Sequence, residues 1–200
     1  MNRTIAAGLL LATLSQGANS ALLGTELSLE TIFQSTPSSS AETLGFLTTA
    51  TVVDPGVEFP SVAALEVDNP PLGLRLVDVS IDAGDDSIEI DFDNATGFSG
   101  FASGFQNTYV FSFDSSIPAI ITDAAIDTSV TTLGLAASDV TFTGNQLLVN
   151  VESLPFDTST FARINLTSVG GPGGGSVPLP ATLLLLGIGL VSLFASRLKA

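Results

Sequence analysis

The side chains best placed to do chemistry in this chain are acids. The stretch "DAGDDSIEIDFD" at residues 82–93 gathers Asp82, Asp85 and Asp86 in a predicted turn. Calcium takes several hard oxygens from carboxylates, carbonyls and water, so these three form a candidate calcium site, and no other cofactor is expected. The stretch lacks the spaced Asp order and closing Glu of an EF-hand loop, and no nonapeptide repeat accompanies it. The same acids therefore also read as solvated charges on a strand edge, where they discourage edge-to-edge pairing of sheets.

Paired carboxylates alone suffice for glycoside hydrolysis when they stand about 5 to 10 Å apart. With 20 acidic residues in 200, however, some pair meets that spacing by chance. The absence of tryptophan and the single tyrosine, Tyr109, argue against a typical sugar cleft. Other catalytic devices are closed by composition. There is no histidine or cysteine, and no lysine between residues 21 and 176. Ser-His-Asp and Cys-His arrangements, Schiff-base lysines and the usual zinc sites are thereby excluded. Gly97, Gly100 and Gly104 of "GFSGFASGF" lack the strand-to-helix context of a phosphate cradle. That loop carries Phe98, Phe101 and Phe105, which read either as packing at the end of a sheet domain or as a sugar-stacking platform. The expectation is a protein without catalytic activity. A carbohydrate-binding surface module and a carboxylate-dependent glycoside hydrolase are the alternatives.

All 20 acids lie within residues 26–157, and the cations between residues 21 and 176 are Arg75 and Arg163 alone. A surface so negative repels phosphate backbones, so nucleic acid is not an expected partner. The lack of cysteine leaves the redox compartment undetermined. Sequons at Asn94 and Asn165, and the "STPSSS" loop at residues 35–40, offer acceptor positions for sugar without requiring any.

The elements that must position these residues are strands. From residue 28 to 167 the apolar period is two, broken by turn residues, as in half-buried antiparallel sheets. In residues 87–93, Ile88, Ile90 and Phe92 share one face; in residues 107–114, Tyr109, Phe111 and Phe113 do, with Val110 opposite, which suits a central strand. Residues 72–81 alternate through Leu74 and Leu76, then change phase to Val77, Val79 and Ile81, predicting a strand with a bulge near Leu76. Residues 140–143 and 147–151 flank Gly144-Asn145 and predict a hairpin. Ala162, Ile164 and Leu166 predict a last strand with Arg163 and Asn165 outward. Residues 26–33 read as a short helix or a first strand. The fold class is all-β, an antiparallel two-sheet sandwich, with an N-terminal signal helix and a C-terminal transmembrane helix.

The two ends read as targeting segments. Arg3, the apolar residues 5–14 and the small residues around a cut between Ser20 and Ala21 form an export signal over residues 1–20. The acidic ectodomain then covers residues 21–169 and a glycine-rich linker residues 170–176. Residues 182–195 carry no charge, and a helix of that length reaches about 21 Å, short of the roughly 30 Å hydrocarbon layer. Extended back to Val177 the run nears spanning length, with Pro178 and Pro180 at its entrance. A transmembrane helix is placed at residues 181–195. Arg197 and Lys199 follow it as a cytoplasmic basic anchor, which puts the acidic domain on the far side of the inner membrane.

Val177, Pro178, Leu179, Pro180 and Ala181, the leucine-rich run with Gly187 and Gly189, and the terminal basic pair resemble the PEP-CTERM sorting signal of Gram-negative bacteria. Leu179 stands where that family's usual motif has glutamate. The resemblance covers the last 24 residues or so and implies recognition by an exosortase-type protease in the membrane of organisms that make extracellular polysaccharide. It thus implies an exported protein, either anchored in the inner membrane with its ectodomain in the periplasm or released to the cell surface or extracellular matrix. The run "LPAT" at residues 179–182 also approaches a Gram-positive sortase signal, but Leu183 replaces the glycine that signal needs. "VVDPGVEF" at residues 52–59 and "VTFTGNQLLVNVESL" at residues 140–154 resemble, loosely, β-rich domains found with such tails.

Overall fold

The computed structural model describes residues 22–114 and 119–170. The expected export signal, with its Ser20–Ala21 cut, and the sorting segment with Arg197 and Lys199 lie outside the described residues.

Within them the protein is all-β. The strands are β1 Glu26–Gln34, β2 Glu42–Thr51, β3 Ser80–Ala83, β4 Ser87–Asp91, β5 Gln106–Asp114, β6 Ala119–Ile126, β7 Val140–Thr143, β8 Gln146–Asn150 and β9 Phe161–Gly170. They form two antiparallel sheets, one ordered β2-β1-β5-β8-β7 and the other β3-β4-β9-β6. Side chains from both sheets meet in one hydrophobic core. Among the described residues no helix is long and apolar enough to cross a membrane.

Alternation explains most of this. In β5, the middle strand of the larger sheet, Tyr109, Phe111 and Phe113 are buried while Val110 is only partly covered. In β4 and just beyond it, Ile88, Ile90 and Phe92 are sealed from solvent. In β9, Ala162, Ile164 and Leu166 point inward while Asn165 is exposed. Residues 26–33 are strand, not helix: Leu27, Leu29, Thr31 and Phe33 occupy the core face, and β1 pairs along its whole length with β5. β7 and β8 form the expected hairpin, with Thr143 opposite Gln146 and Gly144 at φ 57°, a left-handed conformation that glycine adopts without strain.

Residues 72–81 depart from expectation. Pro71–Gly73 is a 3-10 turn, residues 74–79 run outside any strand, and β3 begins only at Ser80. Leu76 and Val77 are both buried, so the phase change is real, but its cause is a loop rather than a bulged strand. Pro70 and Pro71 lack the amide donors a ladder needs. The Glu66 carboxylate instead accepts from the Leu76 amide at 2.8 Å and pairs with the Arg75 guanidinium at 2.6 Å.

Candidate functional site

Two concave features stand out, one acidic and one neutral. The acidic one belongs to the β3–β4 hairpin. Asp82 lies on β3 directly opposite Glu89 on β4, and the turn between them closes with the Gly84 amide donating to the Ser87 carbonyl at 2.9 Å. Asp85 and Asp86 occupy that turn. Together with Asp54, which arrives from the segment after β2, all three predicted acids line one depression of about 320 Å³.

Like charges dominate this depression. Burial raises the Asp82 carboxyl above the usual carboxylate range, and the charges of Glu58, Glu89 and Asp54 raise it further. Burial and then Asp86 and Asp54 raise Asp85 in the same way. The cation on the rim, Arg163, is committed: its Nε donates to Glu89 Oε1 at 2.8 Å, its Nη2 pairs with the same oxygen, and Asp127 lies 4.0 Å away. Such a field would attract a divalent cation. Yet among the described residues no group of three or more acidic side chains is arranged to hold one. The turn's carbonyls already serve the fold, since Asp85 accepts from the Leu22 amide and Asp86 from the Leu166 amide. β3 is last in its sheet order, but its outer side is occupied: Phe59 and Ile81 exchange backbone hydrogen bonds, the Ala83 amide donates to Glu58 Oε2 at 2.7 Å, and Asp85 and Asp86 lie in the turn beyond the strand.

The phenylalanine loop divides. Phe101 is buried, edge-on to Phe92 at 5.9 Å and to Tyr109 at 6.2 Å, and 4.9 Å from Phe156. Phe98 and Phe105 remain half exposed, at 48% and 50%. Its glycines differ: Gly97 takes a left-handed φ of 88° with open space around it, whereas Gly104 serves close packing. A Cβ on Gly104 would lie 2.7 Å from the Gln34 carbonyl oxygen of β1, and the Gly104 amide donates to Glu152 Oε1 at 2.9 Å.

The neutral feature was not anticipated. Successive core-facing residues of β1 are Leu27, Leu29, Thr31 and Phe33, and those of β5 are Asn107, Tyr109, Phe111 and Phe113; Thr31 stands opposite Tyr109. Apolar side chains would be expected at all eight positions, but Thr31, Asn107 and Tyr109 are polar. Residues 73–77 and 98–102 roof this end, leaving a cavity of about 240 Å³. Thr31, Asn107 and Tyr109 are exposed by only 4%, 6% and 1%. Among the described residues their side-chain polar groups make no hydrogen bond, although no side-chain polar atom is sealed off without a partner. What accessible area they retain is therefore toward the cavity they line. Burial, and then the charge of Asp78, hold the Tyr109 phenol far above its ordinary range, so it keeps its proton. The signal in the sequence was the polar residue type at an inward position of the two-residue period.

The described residues thus define a class: an acidic all-β domain of two antiparallel sheets, with one charged and one neutral concavity. Beyond them, residues 176–199 match the PEP-CTERM protein-sorting motif. The matched span includes Leu179 and the other four residues of the expected motif, as well as Arg197 and Lys199. A motif of this type implies export, with anchoring or processing at the carboxyl terminus. No curated protein and no solved structure matches the chain.

Proposed function

We propose that this chain is a non-enzymatic surface protein, exported by residues 1–20, displayed as an acidic domain over residues 21–169 and handed to an exosortase-type protease through residues 177–200. The single observation that carries this reading is the sorting-motif match at residues 176–199. The order of features supports it, since the acids precede the glycine-rich linker and Arg197 and Lys199 follow the apolar run. The helix at residues 181–195 then holds the chain in the inner membrane until processing sends the domain toward the surface or the extracellular matrix. The lack of histidine and cysteine anywhere, and of lysine in the domain, supports a structural or binding role over catalysis.

The intact mass of the protein recovered from its native host tests this. The expected product begins near Ala21 and ends near the Val177–Ala181 motif, and it keeps its tail when the exosortase is deleted. A cytosolic product still beginning at Met1, or a tail of unchanged length in both strains, would overturn the proposal.

A further inference from the structure

We propose that the cavity between β1, β5 and the roof loops binds one neutral sugar residue. The inference does not depend on how the tail is processed. Thr31, Asn107 and Tyr109 on one wall make no side-chain hydrogen bond among the described residues and are not sealed off, so the polar surface they keep toward the cavity is open to water or a ligand. The set is uncharged: a hydroxyl, an amide and a phenol, which together donate and accept hydrogen bonds. Arg75 at the mouth is already paired with Glu66, so no free cation selects a carboxylate or phosphate. The chain's net charge of −15 further disfavours anions.

Much of the remaining lining is apolar: Leu44 of the same sheet, and Leu76, Phe98 and Phe101 of the roof loops. A ligand meeting both kinds of lining needs a hydrocarbon face and a hydroxylated edge, and a pyranose ring has both. The cavity, at about 240 Å³, lies just below the roughly 300–1,000 Å³ usual for drug-sized ligands, which suits one ring rather than a chain laid in a groove.

The chain has one tyrosine and no tryptophan, so its intrinsic emission reports on Tyr109 inside the cavity. The full-length chain, held in lauryldimethylamine oxide micelles that carry no sugar headgroup, is titrated with glucose, galactose, mannose and N-acetylglucosamine. Glucuronate and cyclohexanol serve as the anionic and apolar controls. A saturable change in emission is expected with at least one neutral sugar, at a Kd of about 1 mM within a factor of about ten. Thr31→Val, which keeps the side-chain shape, and Asn107→Leu retain the reporter and should each weaken binding about tenfold, the loss of one good hydrogen bond. Phe105→Ala, half exposed but outside the cavity, should leave it unchanged. The proposal is overturned if no neutral sugar changes the emission at about 100 mM, if glucuronate or cyclohexanol binds more tightly, or if Thr31→Val binds like the parent chain.

Discussion

The two halves of β5 share one antiparallel ladder with β1, yet they face different company. Phe111 and Phe113 lie opposite Leu29 and Leu27, fully buried in the core. Asn107 and Tyr109 lie opposite Phe33 and Thr31, under a roof of loops. Pairing and register are continuous, so backbone hydrogen bonding does not distinguish the halves. What differs is the layer above. Packed side chains close over one half, whereas the loops at residues 73–77 and 98–102 arch over the other and leave space. A sheet can therefore carry core and site on one strand, provided the covering element changes from regular packing to loop.

That contrast can be broken in three ways. Phe111→Ala removes a fully buried ring from the packed half and should lower stability by about 3–5 kcal/mol, read from the midpoint of urea unfolding. A loss under about 1 kcal/mol would mean that this half is no better packed than the other.

Alkali probes the open half at a smaller cost. The folded state holds the Tyr109 proton more tightly than the unfolded chain does, because burial and the Asp78 charge disfavour the phenolate. Stability should be intact below the ordinary tyrosine value of about 10 and fall above it, by at most about 1.4 kcal/mol per pH unit. Tyrosinate absorbance, which reports this one residue, should then appear together with unfolding rather than before it. Its appearance near pH 10 in the folded chain would show an accessible phenol.

Tyr109→Phe should have the least effect, a change of about 1 kcal/mol or less in the same urea measurement, since the hydroxyl has no partner among the described residues and the ring stays in place. A loss above about 2 kcal/mol would place that hydroxyl in the fold's own hydrogen bonding and erase the distinction between the halves.

Legibility follows burial. β4, β5 and β9 were readable because each has one inward face of bulky apolar residues. β2 and β6 were not, since both are edge strands whose alternation is weak; Phe46 and Leu47 on β2, for example, are 56% and 67% exposed. The run at residues 72–81 misled because buried loop residues and strand residues look alike when the side chains holding the loop, such as Glu66, come from elsewhere. The acidic trio was legible because a hairpin keeps chain neighbours together. Asp54, which joins it from a distant segment, was not.

A linear signal needs no fold to be read, so the sorting motif, the charge imbalance, the missing catalytic residue types and the two-residue period were all determined by the order of residues along the chain. The cavity was decided by tertiary structure alone. Thr31, Arg75, Tyr109 and Phe98 become neighbours only when two strands and two loops converge, and their polarity acquires meaning only from what lies across from them. Periodicity assigns a side chain to a face, but whether that face meets a packed layer or open space depends on contacts between residues far apart in the chain.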